Sequence, residues 1–337
     1  MECIYNLEGK NKAIVLFKFF AALLITYSHM AILFPKFNWL VTGGAIGDGL
    51  FFFCSGFTLF LGRKSSFSDW YGRRVSRIYP SIIMWALLSA LFFGWEWSVT
   101  DLLTTPKYWF IPCIMVYYAI FYLVREFLAH HLNIVFYVSL ALITMVSFFV
   151  LDMDNSVMYA QVSFMRVYYF IFMLIGAVTA VDLKKEQKER VFGFLWNGNG
   201  GVLRSTFLFV MSIVLYYACM AAYKLGPFYC HFQMVSLLPL MAAIYYLFVI
   251  CSDKKLLKVF DMPIVGNVVY VISSLTLEIY LVQYAIFTDR LNSIFPLNIF
   301  VVYLAIFAVA YILKCFSNLF TLVFSNSHIC LKQIFSI

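Results

Sequence analysis

The sequence predicts an all-α integral membrane protein, a bundle of about ten transmembrane helices with the N-terminus and the C-terminus both cytoplasmic. Three observations carry this expectation. Hydrophobic residues make up 64% of the 337 and charged residues only 12%, far to the apolar side of a soluble domain. Apolar runs long enough to cross a hydrocarbon core recur along the whole chain. The 24 Lys and Arg residues also fall unevenly in the connections between those runs. Seventeen lie on one side: Lys10, Lys12, Arg63, Lys64, Arg73, Arg74, Arg77, Arg125, Lys184, Lys185, Lys188, Arg190, Arg204, Lys254, Lys255, Lys258 and Lys332. Four lie on the other (Lys36, Lys107, Lys224, Arg290) and three inside spans (Lys18, Arg166, Lys314). Such a bias puts the basic side in the cytoplasm, and an even number of crossings returns the C-terminus there.

Hydropathy places the spans near residues 13–34, 43–62, 79–95, 108–125, 132–151, 164–181, 205–223, 231–250, 263–288 and 298–323. The first is too long for the apolar part of a cleaved signal and lacks a small-residue cleavage site after it, so it counts as a span. The second opens on Gly43-Gly44-Ala45-Ile46-Gly47-Asp48-Gly49 and continues through Phe51-Phe52-Phe53-Cys54-Ser55-Gly56. Small residues at this density let either another helix backbone or a ligand come close. Arg73-Arg74-Val75-Ser76-Arg77 leads into the third span, and Tyr108-Trp109-Phe110 opens the fourth as an interfacial aromatic belt. Between the sixth and seventh, Lys184 to Arg190 alternates charge and reads as a solvated face. The ninth carries Glu278 near its middle, where an unpaired carboxylate is costly.

No polar block is long enough to fold separately, so residues 1–337 read as a single transmembrane domain. The eight cysteines show no CxxC or metal-ligand spacing, and neither a disulfide framework nor a metal site is expected. The net charge of +8 follows from the loop bias and does not call for nucleic acid.

Four groups of residues then ask for a chemical account. Lys18 and His29 stand eleven residues apart in the first span. On a continuous helix that returns to nearly one face ~16 Å further along, an address for the two ends of a long ligand. Snorkelling of Lys18 and solvation of His29 at the two boundaries is the bland alternative. Arg74 and Arg77, three apart, share a face if their segment is helical and could grip a polyphosphate bidentately, although a basic loop also serves topology. Ser55 and Gly56 close the glycine-rich stretch, and Glu278 either pairs with Lys314 or lines the same polar path as His29.

Taken together, these residues resemble the membrane acyltransferase-3 family, integral membrane O-acyltransferases of glycans. The match rests on a basic residue, ten others and a histidine (Lys18, His29), on Phe51-Phe52-Phe53-Cys54-Ser55-Gly56 as an FFxxSG segment, on Arg74-Val75-Ser76-Arg77 as RxxR, and on Glu278-Ile279-Tyr280-Leu281 late in the chain. Two departures stand out: the late motif commonly ends in histidine where this chain has Gln283, and the soluble esterase-like domain of many members is not expected among these 337 residues.

The resemblance implies transfer of an acyl group, expected to be acetyl, from cytoplasmic acetyl-CoA to a hydroxyl of a cell-surface or lipid-linked glycan. It implies a multi-pass protein of a bacterial cytoplasmic membrane, with polysaccharide-assembly proteins as further partners. His29, Lys18 and Glu278 would then be catalytic, and Arg73, Arg74, Arg77, Ser55 and Gly56 would bind the coenzyme. Imidazole could accept the sugar hydroxyl's proton or carry the acyl group for a moment. A flippase of lipid-linked sugars and a non-catalytic anchor of an assembly complex are the competing classes; the first needs no acyl-CoA site, and the second tolerates loss of His29.

Overall fold

Capping chemistry sets where several helices begin and end in the computed structural model, which describes residues 11–104, 108–149, 166–185, 191, 201–324 and 331–337. Lys10, Lys107 and most of the mixed-charge loop, Glu186 to Arg190, lie outside the described residues. The Asn11 side chain accepts hydrogen bonds from the Ala13 and Ile14 N–H groups (3.0 and 3.3 Å) and starts α1, Lys12–Ser28. Helix α2 spans Gly44–Phe60.

Helix α3, Phe67–Phe93, starts well before the expected residue 79 because Ser66 and Asp69 lock its first turn: the Ser66 oxygen accepts from the Asp69 N–H at 3.1 Å and its hydroxyl donates to the Asp69 carboxylate at 2.9 Å. It runs through Pro80 and stops at Gly94, whose φ of 66° is left-handed, with Trp95 N–H returning to the Ser89 carbonyl at 3.2 Å. The remaining long helices are α4 (Phe110–Phe127), α5 (Leu132–Phe149), α6 (Phe170–Asp182), α7 (Gly201–Met220), α8 (Leu237–Cys251), α9 (Pro263–Ser274), α10 (Thr276–Ile286) and α11 (Leu297–Phe324).

All regular structure among the described residues is helical. Seven of these helices are long and apolar enough to cross a membrane, or eight if the pair Lys254–Asp261 and Pro263–Ser274, bent by 99°, counts as one broken span. They carry Leu91, Leu203, Phe300 and Leu304 at 67–84% exposure, a surface suited to lipid rather than water.

The expected spans that fall short have local reasons. The first is a 17-residue helix, not a crossing that continues to residue 34. After Ser28 the His29 N–H turns back to the Thr26 carbonyl (3.1 Å), and Met30–Leu33 continues as a 3-10 turn. The sixth is described only from Arg166 onward. The ninth is interrupted at Leu275, where the backbone leaves helical geometry between α9 and α10.

The helices sort into two compact units. The first comprises Met1–Phe17, Asp48–Lys64 and Ile120–Gly266. Its core is aromatic: Phe17, Phe53 and Phe248 meet with ring centroids 5.2 to 5.8 Å apart. Helices α2 and α6 pass almost backbone to backbone. A Cβ on Gly56 would sit 1.8 Å from the Met173 carbonyl oxygen, and one on Gly176 would sit 2.1 Å from that of Phe53.

The second unit comprises Lys18–Gly47, Ser65–Ala119 and Asn267–Ile337. Here α3, α10 and α11 pack on one another, and two ties bring α1 and the 3-10 turn that follows it to α11. Tyr303 donates to the Leu23 carbonyl (2.8 Å), and the Asn298 amide donates to that of Leu33 (2.8 Å). These bonds hold His29 at a fixed place beside the helices that carry the remaining polar groups.

Candidate active site

The second unit contains His29, Lys18, Glu278 and the three arginines. Their arrangement follows from α3. On this helix Arg74, Arg77, Ser81 and Trp85 recur at spacings of three and four, which puts them along one face over ~16 Å. At the start of that face Arg74 donates to the Trp70 carbonyl (2.8 Å) and lies over the Trp70 ring at 3.8 Å, a cation–π contact that fixes its guanidinium. Arg77, one turn on, is exposed. Arg73 points elsewhere and donates to the Ser65 hydroxyl at 2.6 Å.

One turn further, Ser81 meets the buried carboxylate. It donates to Glu278 Oε1 at 2.8 Å, and its oxygen lies 3.1 Å from the Ser317 hydroxyl. Lys314 Nζ stands 3.3 Å from the same carboxylate oxygen, with the Glu278 side chain 2% and the Lys314 side chain 25% exposed. Of the two readings open for Glu278, the structure shows the ion pair with Lys314. A carboxylate of this burial needs a counter-charge and donors, and α3 and α11 supply both.

The next residue on the face, Trp85, donates to the Tyr108 hydroxyl (2.8 Å), which donates in turn to the Leu281 carbonyl (2.8 Å). Trp97 stacks on the Tyr108 ring at 6.3 Å and 14°. The Tyr108 ring then lies 6.2 Å from that of Tyr284. Tyr284 is hydrogen-bonded to His29, Oη to Nε2 at 3.1 Å, with the rings 5.1 Å apart. The far end of the face that begins at the arginines is thus joined, through Tyr108 and Tyr284, to the imidazole.

His29 itself is half-buried and follows the last residue of α1. Lys18 lies ten residues before the end of that helix, half-buried, so it sits ~15 Å below Ser28. The expectation of one continuous helical face from Lys18 to His29 holds only as far as Ser28; the turn at His29 aims the imidazole by its own backbone geometry (φ −102°, ψ 0°).

Ser55 and Gly56 belong to the first unit. Ser55 donates to the Phe51 carbonyl one turn back at 3.2 Å, and Gly56 spends its missing side chain on the backbone of Met173. Tight helix packing, the alternative left open for the glycines, accounts for Gly56. At Gln283, fully buried, neither amide atom has a hydrogen-bond partner among the described residues.

The residues that sequence reading missed are Ser81, Trp85, Tyr108 and Tyr284. Extending the arginine face along α3 would have found the first two. Tyr284 carries no local signal, because a tyrosine near a span end ordinarily belongs to the aromatic belt.

As an assembly the unit offers one oriented and one exposed guanidinium at one end of a helix face, a half-open imidazole with a phenol at the other, and a buried, neutralised polar patch between. That suits an extended anionic ligand whose reactive end must reach a base. Residues 11–315 match the model of a family described as an acyltransferase domain, nearly the whole chain. No curated protein and no solved structure matches it.

Proposed function

We propose, from the premise that this chain belongs to the acyltransferase-3 family of membrane proteins, that it moves an acetyl group from cytoplasmic acetyl-CoA to a hydroxyl of a cell-surface or lipid-linked glycan. The observation that carries this reading is that one unit sets Arg74 and Arg77 at the start of the α3 face and, about three turns along it, Trp85, whose partner Tyr108 adjoins Tyr284 and through it His29. Arginine forks suit the coenzyme's phosphates because each presents several donors in a rigid plane. Trp70 pre-orients Arg74, so less side-chain freedom is lost when it binds. Exposed Arg77 is available to the same phosphates.

Ser81 and Trp85 are themselves buried, so this part of α3 holds the neighbouring helices in place, and the extended arm passes beside it to bring the thioester to His29. Lys18 adds positive charge on the α1 side of that route, and Glu278, neutralised by Lys314, holds α3, α10 and α11 in register without touching the reacting atoms. His29, neutral, accepts the acceptor hydroxyl's proton as that oxygen attacks the thioester carbon, and the imidazolium returns the proton to the departing coenzyme sulfur. Both chain ends lie in the cytoplasm of a bacterial cell whose envelope glycan is the acceptor, with assembly proteins presenting the polymer.

General-base help is worth ~10²–10⁴ in rate, so His29→Ala and His29→Gln should each abolish detectable O-acetylation while expression persists. The assay is mass spectrometry of the surface glycan in a strain lacking other acyltransferases. Activity should also decline toward acid pH as the imidazole is protonated and ceases to be a base. Substantial acetylation by either variant would remove His29 from the mechanism.

A further inference from the structure

We propose that the Tyr284 hydroxyl is a second catalytic group, the donor that hydrogen-bonds the thioester oxygen as it becomes an oxyanion; this rests on the acyl-transfer reading above. Acyl transfer passes through a carbon that bears both the attacking oxygen and the former carbonyl oxygen. A base must reach the first at ~2.6–3.2 Å and a donor the second at ~2.7–3.1 Å, so base and donor must themselves stand close together. Tyr284 Oη is 3.1 Å from His29 Nε2 and meets that demand.

The phenol is also aimed and reachable. Its ring is flanked by Tyr108 at 6.2 Å and, edge on, by Phe287 at 6.1 Å, which limits where the hydroxyl can swing. At 41% exposure Tyr284 is open to incoming substrate. The neighbouring phenol of Tyr108 is buried, with its oxygen already bonded to Trp85 and Leu281.

Without substrate, and with the imidazole proton on Nδ1, Tyr284 donates to Nε2 and so holds the tautomer that a base requires. An acceptor hydroxyl arriving at Nε2 takes over that position and releases the phenol O–H toward the thioester. The acceptor O–H proton then passes to Nε2 as the new C–O bond forms, and the carbonyl π pair moves onto oxygen, where Tyr284 donates to it. Collapse restores the carbonyl and breaks the C–S bond, and the imidazolium proton goes to the coenzyme sulfur. The products are the O-acetyl ester and free coenzyme A.

The test uses membrane vesicles from the source cell deleted for this gene and complemented with each variant, so that the native glycan is present. Radiolabelled acetyl-CoA is supplied over a pH series, and incorporation is read per amount of folded protein. Tyr284→Phe should lower the maximal rate ~100-fold, the scale of losing one oxyanion donor. The Michaelis constant for acetyl-CoA and the midpoint of the acid limb should stay where they are in the parent. Replacement of Tyr284 by 3-fluorotyrosine, which keeps the ring and a stronger donor, should retain the parent rate.

An unchanged rate in Tyr284→Phe would overturn the proposal. So would a loss accompanied by a displaced acid limb, because the phenol would then act only by orienting His29. Full incorporation by His29→Ala would instead refute the acyl-transfer site at His29, whereas loss in His29→Ala beside a full rate in Tyr284→Phe would refute the role of Tyr284 alone.

Discussion

Replacing Lys314 by methionine tests how the buried carboxylate is held. The substitution keeps most of the side chain's length but strips Glu278 of its counter-charge, leaving the Ser81 hydroxyl at 2.8 Å as its remaining donor among the described residues. Breaking one partner of a fully buried pair costs ~3–5 kcal/mol. Two features reduce that here: Lys314 is 25% exposed, so part of its charge is already hydrated, and Ser81 still donates. We expect a loss of about 2–3 kcal/mol. Glu278→Gln removes the charge while an amide oxygen can still accept from Ser81, for a loss of about 1 kcal/mol. In the double variant the stranded carboxylate is gone, so its cost should fall well below the sum of the singles.

Steric-trap unfolding in bicelles reads these free energies directly. Acetyl transfer, measured at a temperature where every variant is folded, should stay close to the parent's in Glu278→Gln, because in the proposed site the carboxylate touches no reacting atom. Additive singles, or a Lys314→Met protein as stable as the parent, would refute the pairing argument. Loss of transfer in a stable Glu278→Gln protein would return the carboxylate to the catalytic path.

Alanine at Arg74 or Arg77 should raise the Michaelis constant for acetyl-CoA far more than that for the acceptor, each charge-assisted contact being worth ~1.5–3 kcal/mol. Arg74→Lys should recover only part of it, since the stack on Trp70 and the planar fork are both lost, and unchanged donor affinity would leave the arginines as topology signals. At the crossing of α2 and α6, Gly56→Ala should destabilise the protein by ~1–3 kcal/mol or more, because its Cβ lands 1.8 Å from the Met173 carbonyl and only backbone can yield. A variant with parental thermal stability would show that the two helices separate freely.

The class of molecule and most of its helices were legible in the amino-acid order alone. Composition and the recurrence of apolar runs suffice because a lipid surroundings leaves the backbone few options besides helix. The family was legible there too, through motifs that are local in the chain: Lys18 with His29, Ser55-Gly56, Arg74 with Arg77, and Glu278 to Leu281. Helix boundaries were less legible, because they depend on single bonds such as the Ser66–Asp69 lock and the turn at His29, which hydropathy does not weigh.

Partnerships across helices were decided only by the fold. Glu278 admitted two readings in one dimension, and Lys314 and Ser81 arrive beside it from helices 36 and 197 residues away in the chain. Likewise Tyr284 reaches His29 from 255 residues away. Periodicity along one helix tells which face a residue occupies, but contact between faces is fixed by the packing of whole helices, and a tyrosine's hydrogen-bond partner leaves no trace in its own neighbourhood.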